Sequence, residues 1–291
     1  MPGQFPDRKG KILLFDFARP NNYEELTIKW QKDAKRVSEE FNPHGIDVLI
    51  KGDKTIIYVV NHEPYESVER FSLDLKSKTL NHLESIRDPL FTYLNSIIAV
   101  DERSFLFTNC FYSKDLITLE IWLDLHLGNV GAYDGDLNKA TIVKDGFHIP
   151  NGLGLSTDKT KLYLADIGNL ALQTFDINSL TNLTLSYTLH LDTMVDNIQV
   201  DPMDGSLWLG CQPSFWNFLL YLEDPVNRIT GSHILTVKTD THGNPTGDIV
   251  ELYRNNGTEI SLSSVALHYK KKLLIGSVFD KLLFCEIKTI Y

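Results

Sequence analysis

Apolar residues recur along most of the chain in short alternating runs, broken by Asp-Gly, Gly-Asp, Asp-Lys and Pro. Ile46, Val48 and Ile50 occupy every second position. Gly52-Asp53-Lys54 interrupts them, and a second apolar run follows from Ile56 to Val60. A period of two predicts strands, and two such runs across a short polar turn predict an antiparallel hairpin. His44 stands just before the first run and His62 just after the second, 18 residues apart. A hairpin brings its open ends together, so the spacing predicts that the two imidazoles are near neighbours. Helical periodicity is scarce. Residues 24–39 read as a helical turn or two or as a surface loop, and residues 213–222 (PSFWNFLLYL) are expected to include a strand.

The hairpin is repeated. Asn95-Ser-Ile-Ile-Ala-Val leads over Asp101-Glu102 into Ser-Phe-Leu-Phe-Thr-Asn. Asn151-Gly-Leu-Gly-Leu-Ser leads over Asp158-Lys159 into Lys-Leu-Tyr-Leu-Ala-Asp. Asn197-Ile-Gln-Val-Asp leads over Asp204-Gly205 into Ser-Leu-Trp-Leu-Gly-Cys, and Ser264-Val-Ala-Leu-His-Tyr leads over three lysines into Leu-Leu-Ile-Gly-Ser. Further strands follow, as at Val68, Leu172 and Leu282, and an insertion is expected at roughly 225–247. A period of roughly 50 residues with four strands per unit is that of β-propeller blades. The innermost strand of each blade lines the axis, so His44, Asn95, Asn151, Asn197 and Ser264 are expected to converge on one face of the disc. Asn before a strand is common in turns, but Asn is depleted within strands. Gly10 to Phe17 reads as an outer strand with no inner hairpin upstream of it. The expectation is therefore an all-β chain forming a single domain over residues 1–291. Its fold would be a six-bladed β-propeller with the first blade incomplete because its N-terminal segment is missing. Residues 1–40 would be the remnant of that blade and a connecting loop, with blades starting near 44, 95, 151, 197 and 264.

Composition narrows the partners. The 291 residues are 43% hydrophobic and 23% charged, which is ordinary for a globular protein with a sizeable core. A net charge of −10 argues against nucleic acid and anionic membrane surfaces and suits cation binding. No run of 18 apolar residues is present, so no spanning helix is expected, and the N-terminus has no apolar segment of a signal peptide. Cys110, Cys211 and Cys285 are far apart and lack metal-ligand spacing. Asn182-Leu-Thr and Asn256-Gly-Thr are sequons. The aligned asparagines with Asp196 supply hard oxygen donors, which suit Ca²⁺ first and Mg²⁺ second; Zn²⁺ would want His or Cys. A weakly neutralised cation is a Lewis acid for a carbonyl oxygen, and a neutral imidazole at His44 or His62 is suited to taking a proton from water. No Gly-x-Ser-x-Gly elbow is present, and Cys211, at the end of a strand, reads as a structural thiol. The residues therefore point to metal-assisted hydrolysis with water as nucleophile.

The set FNPHGI, VVNH, LNSI, NGL, VDNIQVDP with GSLWLGC, and LLIGSVFDKLLFCEI resembles the paraoxonase/arylesterase family of calcium-dependent lactonases, collinearly from Gly10 to Ile287. The resemblance implies a six-bladed propeller with a catalytic and a structural calcium in its central tunnel. It also implies hydrolysis of aryl esters and lactones, a small-molecule ester or lactone being the partner. By motif, His44 matches the general base and His62 its partner. Asn95, Asn151, Asp196 and Asn197 match ligands of the catalytic calcium, whose fifth ligand, a glutamate, falls in a segment the sequence lacks. Ile46 matches the backbone ligand of the structural calcium, while Ser96 stands where the family has an aspartate of that site. Ile149, Val278 and Phe279 match apolar positions that line the substrate. Cys110 and Phe111 replace acidic and histidine residues, and Gln212 stands where a histidine is common. Cys285 matches a cysteine whose disulfide partner is absent from the chain, and Asn182 and Asn256 fall where relatives carry sequons. Full-length relatives are extracellular or membrane-associated, and membrane or lipoprotein association would rest on the N-terminus. The same features also fit a non-catalytic propeller acting as a membrane-protein chaperone or scaffold, or an inactive truncated isoform.

Overall fold

A computed structural model describes residues 9–288. The chain folds as two compact units, Met1–Gly146 and Phe147–Tyr291. In the first unit, β1 (Leu13–Phe15) and β2 (Tyr23–Glu25) form a two-stranded sheet of their own. Strand β3 (Thr27–Lys29) runs parallel to the outer edge of the next sheet, and α1 (Lys35–Glu40) follows a short 3-10 turn. That sheet consists of β4 (Pro43–Lys51), β5 (Lys54–Asn61), β6 (Ser67–Asp74) and β7 (Thr79–Ile86), with β3 added beside β7. The second sheet is β8 (Leu94–Ala99), β9 (Phe105–Asn109), β10 (Gly128–Asp134) and β11 (Lys139–Phe147); α2 (Ile117–Trp122) lies in the loop between β9 and β10.

The second unit repeats the plan. Its sheets are β12 (Pro150–Leu155), β13 (Lys161–Asp166), β14 (Ala171–Ser179) and β15 (Asn182–His190), then β16 (Met194–Val200), β17 (Leu207–Gln212), β18 (Ser232–Thr239) and β19 (Pro245–Asn255). A nine-residue helix, α3 (Phe215–Glu223), connects β17 to β18. The last sheet has three strands, β20 (Ser263–Tyr269), β21 (Lys272–Ser277) and β22 (Leu283–Glu286). Antiparallel meanders of this kind are β-propeller blades. The described residues contain five of them, not the six expected. Among the described residues, β1, within the segment from Gly10 to Phe17, pairs with β2.

Two further expectations are corrected. Residues 213–222 contain no strand: Ser214 accepts from the Asn217 amide at 3.3 Å and caps α3, whose apolar run is buried chiefly through Tyr221. Residues 225–247 are not an insertion, since β18 and the start of β19 supply the third and fourth strands of the blade; the extra chain lies upstream, around α3. In β4 the apolar positions are not the buried ones. Ile46, Val48 and Ile50 are outward, whereas Asp47 and Leu49 are turned inward, and Asp47 Oδ2 accepts the Ala99 amide at 2.7 Å. Strand β5, by contrast, is buried on both faces from Ile56 to Val60, as its unbroken apolar run requires. Tyr58 and Val60 enter the core between the first two blades with Phe105 and Phe107.

Each blade begins in the same irregular way. Register shifts occur between Pro43 and Ile46, Leu94 and Ile97, Pro150 and Leu153, Val195 and Ile198, and Ser263 and Val265. These breaks enclose His44, Asn95, Asn151, Asp196 with Asn197, and Ser264. An unpaired residue in a ladder re-aims side chains, which is why bulges gather at functional sites. Glycines permit the close approach at these points. A Cβ on Gly45 would lie 2.2 Å from Asn95 O, and one on Gly152 would lie 2.5 Å from Asp196 O. A Cβ on Gly210 would meet the Ser264 carbonyl carbon at 2.3 Å. All three neighbours are backbone, which cannot rotate away. Gly210→Ala is therefore expected to destabilise the protein by about 1–3 kcal/mol through overpacking, read as a lower urea midpoint; an unchanged midpoint would contradict this packing.

Candidate active site

In the first unit the hairpin expectation holds in space. His44, in the bulge of β4, and His62, just past the end of β5, bring Nδ1 and Nε2 to 2.8 Å. The other nitrogen of His62, Nδ1, lies 2.9 and 3.0 Å from the two carboxylate oxygens of Glu66. Glu66 also accepts the Leu94 amide at 3.0 Å and faces Lys114 Nζ at 3.2 Å. Lys114 belongs to a 3-10 turn in the β9–β10 loop, and its ammonium also reaches the His62 carbonyl at 3.3 Å. The loop is fastened by Glu120, which accepts the Tyr112 and Ser113 amides. The Tyr93 ring covers His62 with centroids 5.4 Å apart. Glu66, Lys114 and Tyr93 were not anticipated from the sequence; the one available signal was a carboxylate four residues beyond His62.

His44, at the bulge of β4, is itself exposed to solvent. Desolvation there, and secondly the neighbouring His62, lower its pKa below the ordinary histidine value. Its exposure lets water screen part of that desolvation, but the direction leaves the imidazole neutral at pH 7. Asn95, buried at the start of β8, donates through Nδ2 to Cys110 Sγ at 3.8 Å. Ser96 is buried beside it, and its amide donates to Thr108 Oγ1 at 2.9 Å. The Cys110 thiol, pushed well up by burial, is no nucleophile at neutral pH.

The second unit gathers oxygen and amide groups. Asp196 is buried at the bulge of β16, where Gln212 Nε2 donates to Oδ2 at 2.8 Å and Asn197 Nδ2 to Oδ1 at 3.2 Å. Asn197 Nδ2 also donates to Ser264 O at 3.1 Å. Burial pushes the Asp196 carboxyl up to about 7, against the hydrogen bonds from Gln212 and Asn151 that pull it down. Gln212 Oε1 is buried with no hydrogen-bond partner. A carboxylate with surrounding carboxamides and an orphaned carbonyl oxygen form a hard donor set, whose chemistry fits calcium. Asn197 turns its NH₂ toward Asp196, so ligation through Oδ1 would require rotation of that amide. Gln212, which stands where a histidine was expected, is the direct partner of Asp196.

The remaining sites differ in support. Ile46 is exposed in β4, and neither its backbone nor the Ser96 hydroxyl brings negative charge, so the pair does not fit a structural calcium. Ile149 is half-buried with φ of 61°, Val278 is exposed, and the Phe279 ring lies 6.2 Å from that of Tyr221. Asn182, at the start of β15, and Asn256 are exposed. Cys110, Cys211 and Cys285 are all free thiols. Cys211 is buried and its pKa raised, in keeping with a structural role.

The arylesterase family model matches residues 1–287. The chain is 36% identical over 286 residues to serum paraoxonase/arylesterase 2 of Canis lupus familiaris, covering 97% of this chain and 78% of that protein. To the protein of the same description from Gallus gallus it is 37% identical over 287 residues, with the same coverage. To serum paraoxonase/lactonase 3 of Rattus norvegicus it is 34% identical over 297 residues, covering 99% of this chain and 79% of the relative. Among solved structures, a gluconolactonase from Xanthomonas campestris superposes with a TM-score of 0.53 at 15% identity, over 94% of this chain and 78% of its own. At that identity the likeness shows the fold alone.

The raised pKa of Asp196 has a stability consequence. The folded state holds this proton more tightly than the unfolded chain, so the contribution is complete below the ordinary carboxylate pKa near ~4 and is lost as pH rises through about 7. With calcium removed by EGTA, the urea midpoint is expected to fall between pH 5 and pH 8, and to fall less in Asp196→Asn. Equal slopes in the two proteins would show that Asp196 does not carry the effect.

Proposed function

The chain belongs to the arylesterase family, and from that membership we propose that it is a calcium-dependent hydrolase of aryl esters and lactones. The observation that carries this reading is the 2.8 Å contact between His44 and His62 at the mouth of the β4–β5 hairpin. A neutral imidazole paired with a second one is a base able to share an incoming proton. In this reaction His44 accepts a proton from water as the water oxygen bonds to the ester or lactone carbonyl carbon. The carbonyl π pair moves to its oxygen. That pair then returns, the bond between the acyl carbon and the alkoxy or aryloxy oxygen breaks, and the leaving oxygen takes the proton back from the histidine pair.

Calcium, when bound, supplies the positive charge that polarises the carbonyl and favours the oxyanion. We assign Asn151, Asp196 and Asn197 as its ligands; the buried, oxygen-rich surroundings of Asp196 support the assignment. No second calcium is assigned at Ile46 and Ser96. Ile149, Val278 and Phe279 are proposed to receive the apolar part of the substrate. The relatives' names place them in serum, and the exposed Asn182 and Asn256 side chains suit glycosylation, so an extracellular setting is part of the proposal.

Hydrolysis of phenyl acetate and δ-valerolactone is the direct test. Activity is expected with calcium, to be lost in EGTA and restored by added calcium. In His44→Gln, kcat is expected to fall by on the order of 10²-fold or more. A folded, calcium-loaded protein that hydrolyses neither substrate would refute the enzyme and leave the scaffold reading.

A further inference from the structure

Two imidazoles in contact do not by themselves specify where the protons lie. Each ring has two nitrogens, and the 2.8 Å contact is compatible with either ring donating. A third group removes the ambiguity. Glu66 sits beside His62 Nδ1 at 2.9 and 3.0 Å, its side chain only 9% exposed. It is kept in place from two further directions, by the Leu94 amide at 3.0 Å and the Lys114 ammonium at 3.2 Å. Both neighbours are donors, so the carboxylate faces them as an acceptor.

Deepening the hydrolase reading, on which it rests, we propose that Glu66, steadied by Lys114, is a positioning residue that holds His62 as the Nδ1–H tautomer and thereby makes His44 Nε2 the basic atom. The chain of hydrogen bonds has one direction. Glu66 accepts His62 Nδ1–H, neutral His62 offers its Nε2 lone pair, and His44 must donate its own Nδ1–H into it. The lone pair left over is on His44 Nε2. When that nitrogen takes a proton from water, the Nδ1 proton of His44 is already aligned on His62 Nε2 and can cross the 2.8 Å bond. The resulting imidazolium at His62 lies against the Glu66 carboxylate. No proton reaches Glu66, whose part is orientation and charge.

Nitrogen NMR of labelled imidazoles and steady-state kinetics on the calcium-loaded full chain test this together. In the wild type, His62 is expected to carry its proton on Nδ1. Glu66→Ala is expected to shift that tautomer toward Nε2–H and to lower kcat for phenyl acetate by on the order of 10- to 100-fold, with KM changed by less than about twofold. Glu66→Gln, which keeps an acceptor oxygen without the charge, is expected to retain the tautomer and recover part of kcat. A wild-type His62 protonated on Nε2 overturns the proposal. So does a Glu66→Ala protein in which the tautomer or kcat is unchanged. If Glu66→Ala does not fold, Glu66→Gln and Lys114→Met decide: intact kcat in both overturns the proposal, and reduced kcat in both supports it. If the wild type shows no hydrolysis, the enzyme reading fails on its own, and the tautomers of wild type and variants still decide what Glu66 does.

Discussion

The approach of one blade's inner strands to the first strand of the next is the constraint on which the chemistry rests. Gly45 lets β4 reach the carbonyl of Asn95, Gly152 lets β12 reach Asp196, and Gly210 lets β17 reach Ser264. Each contact falls where the register of a first strand breaks. Neighbouring strands cannot both lie that close and keep ideal pairing, so the ladder gives way there and polar side chains leave the pleat. The glycines and the bulges are thus two sides of one arrangement, and both coincide with the positions that carry candidate function.

Polar groups brought inward in this way need partners. The two units solve the problem with different chemistry. In the first unit the partners are ionisable: His44 meets His62, His62 meets Glu66, and Glu66 meets Lys114. Such a string can relocate a proton. In the second unit they are chiefly amides, with Gln212 and Asn197 both donating to Asp196. That set cannot relay a proton, but it can exchange its donated hydrogens for a cation, since carboxamide and carboxylate oxygens are hard ligands. Ser96 shows the opposite outcome. Its amide donates to Thr108 Oγ1, and its hydroxyl brings no charge to neutralise a cation.

Much of this was legible from the chain. The period of two, returning with the same polar residue at the head of each run, revealed the blades and the proximity of His44 to His62, because hairpin geometry depends only on local spacing. What failed to be legible depends on packing. Alternation cannot say which face is buried, and in β4 the interaction of Asp47 with the Ala99 amide turned Ile46, Val48 and Ile50 outward. An apolar stretch such as Phe215 to Leu222 has no decisive period, and a serine cap resolved it as helix. The shift of the extra chain to the region of α3 followed from that misreading. Glu66 and Lys114 escaped notice because they reach His62 from separate loops, and no short spacing links 66 to 114.

Glu66 and Lys114 supply what a pair of identical groups lacks. Composition and repeat could place two histidines together, yet a pair of imidazoles is chemically symmetric and has no preferred direction for a proton. Direction requires a neighbour that can only accept or only donate. A carboxylate is the former, an ammonium the latter, and here they stand in series on one side of His62. The other end of the pair, His44, is exposed to solvent. The asymmetry therefore arises from which side of the hairpin mouth is closed by the β9–β10 loop, and the fold, rather than either histidine, decides which nitrogen is free to act as the base.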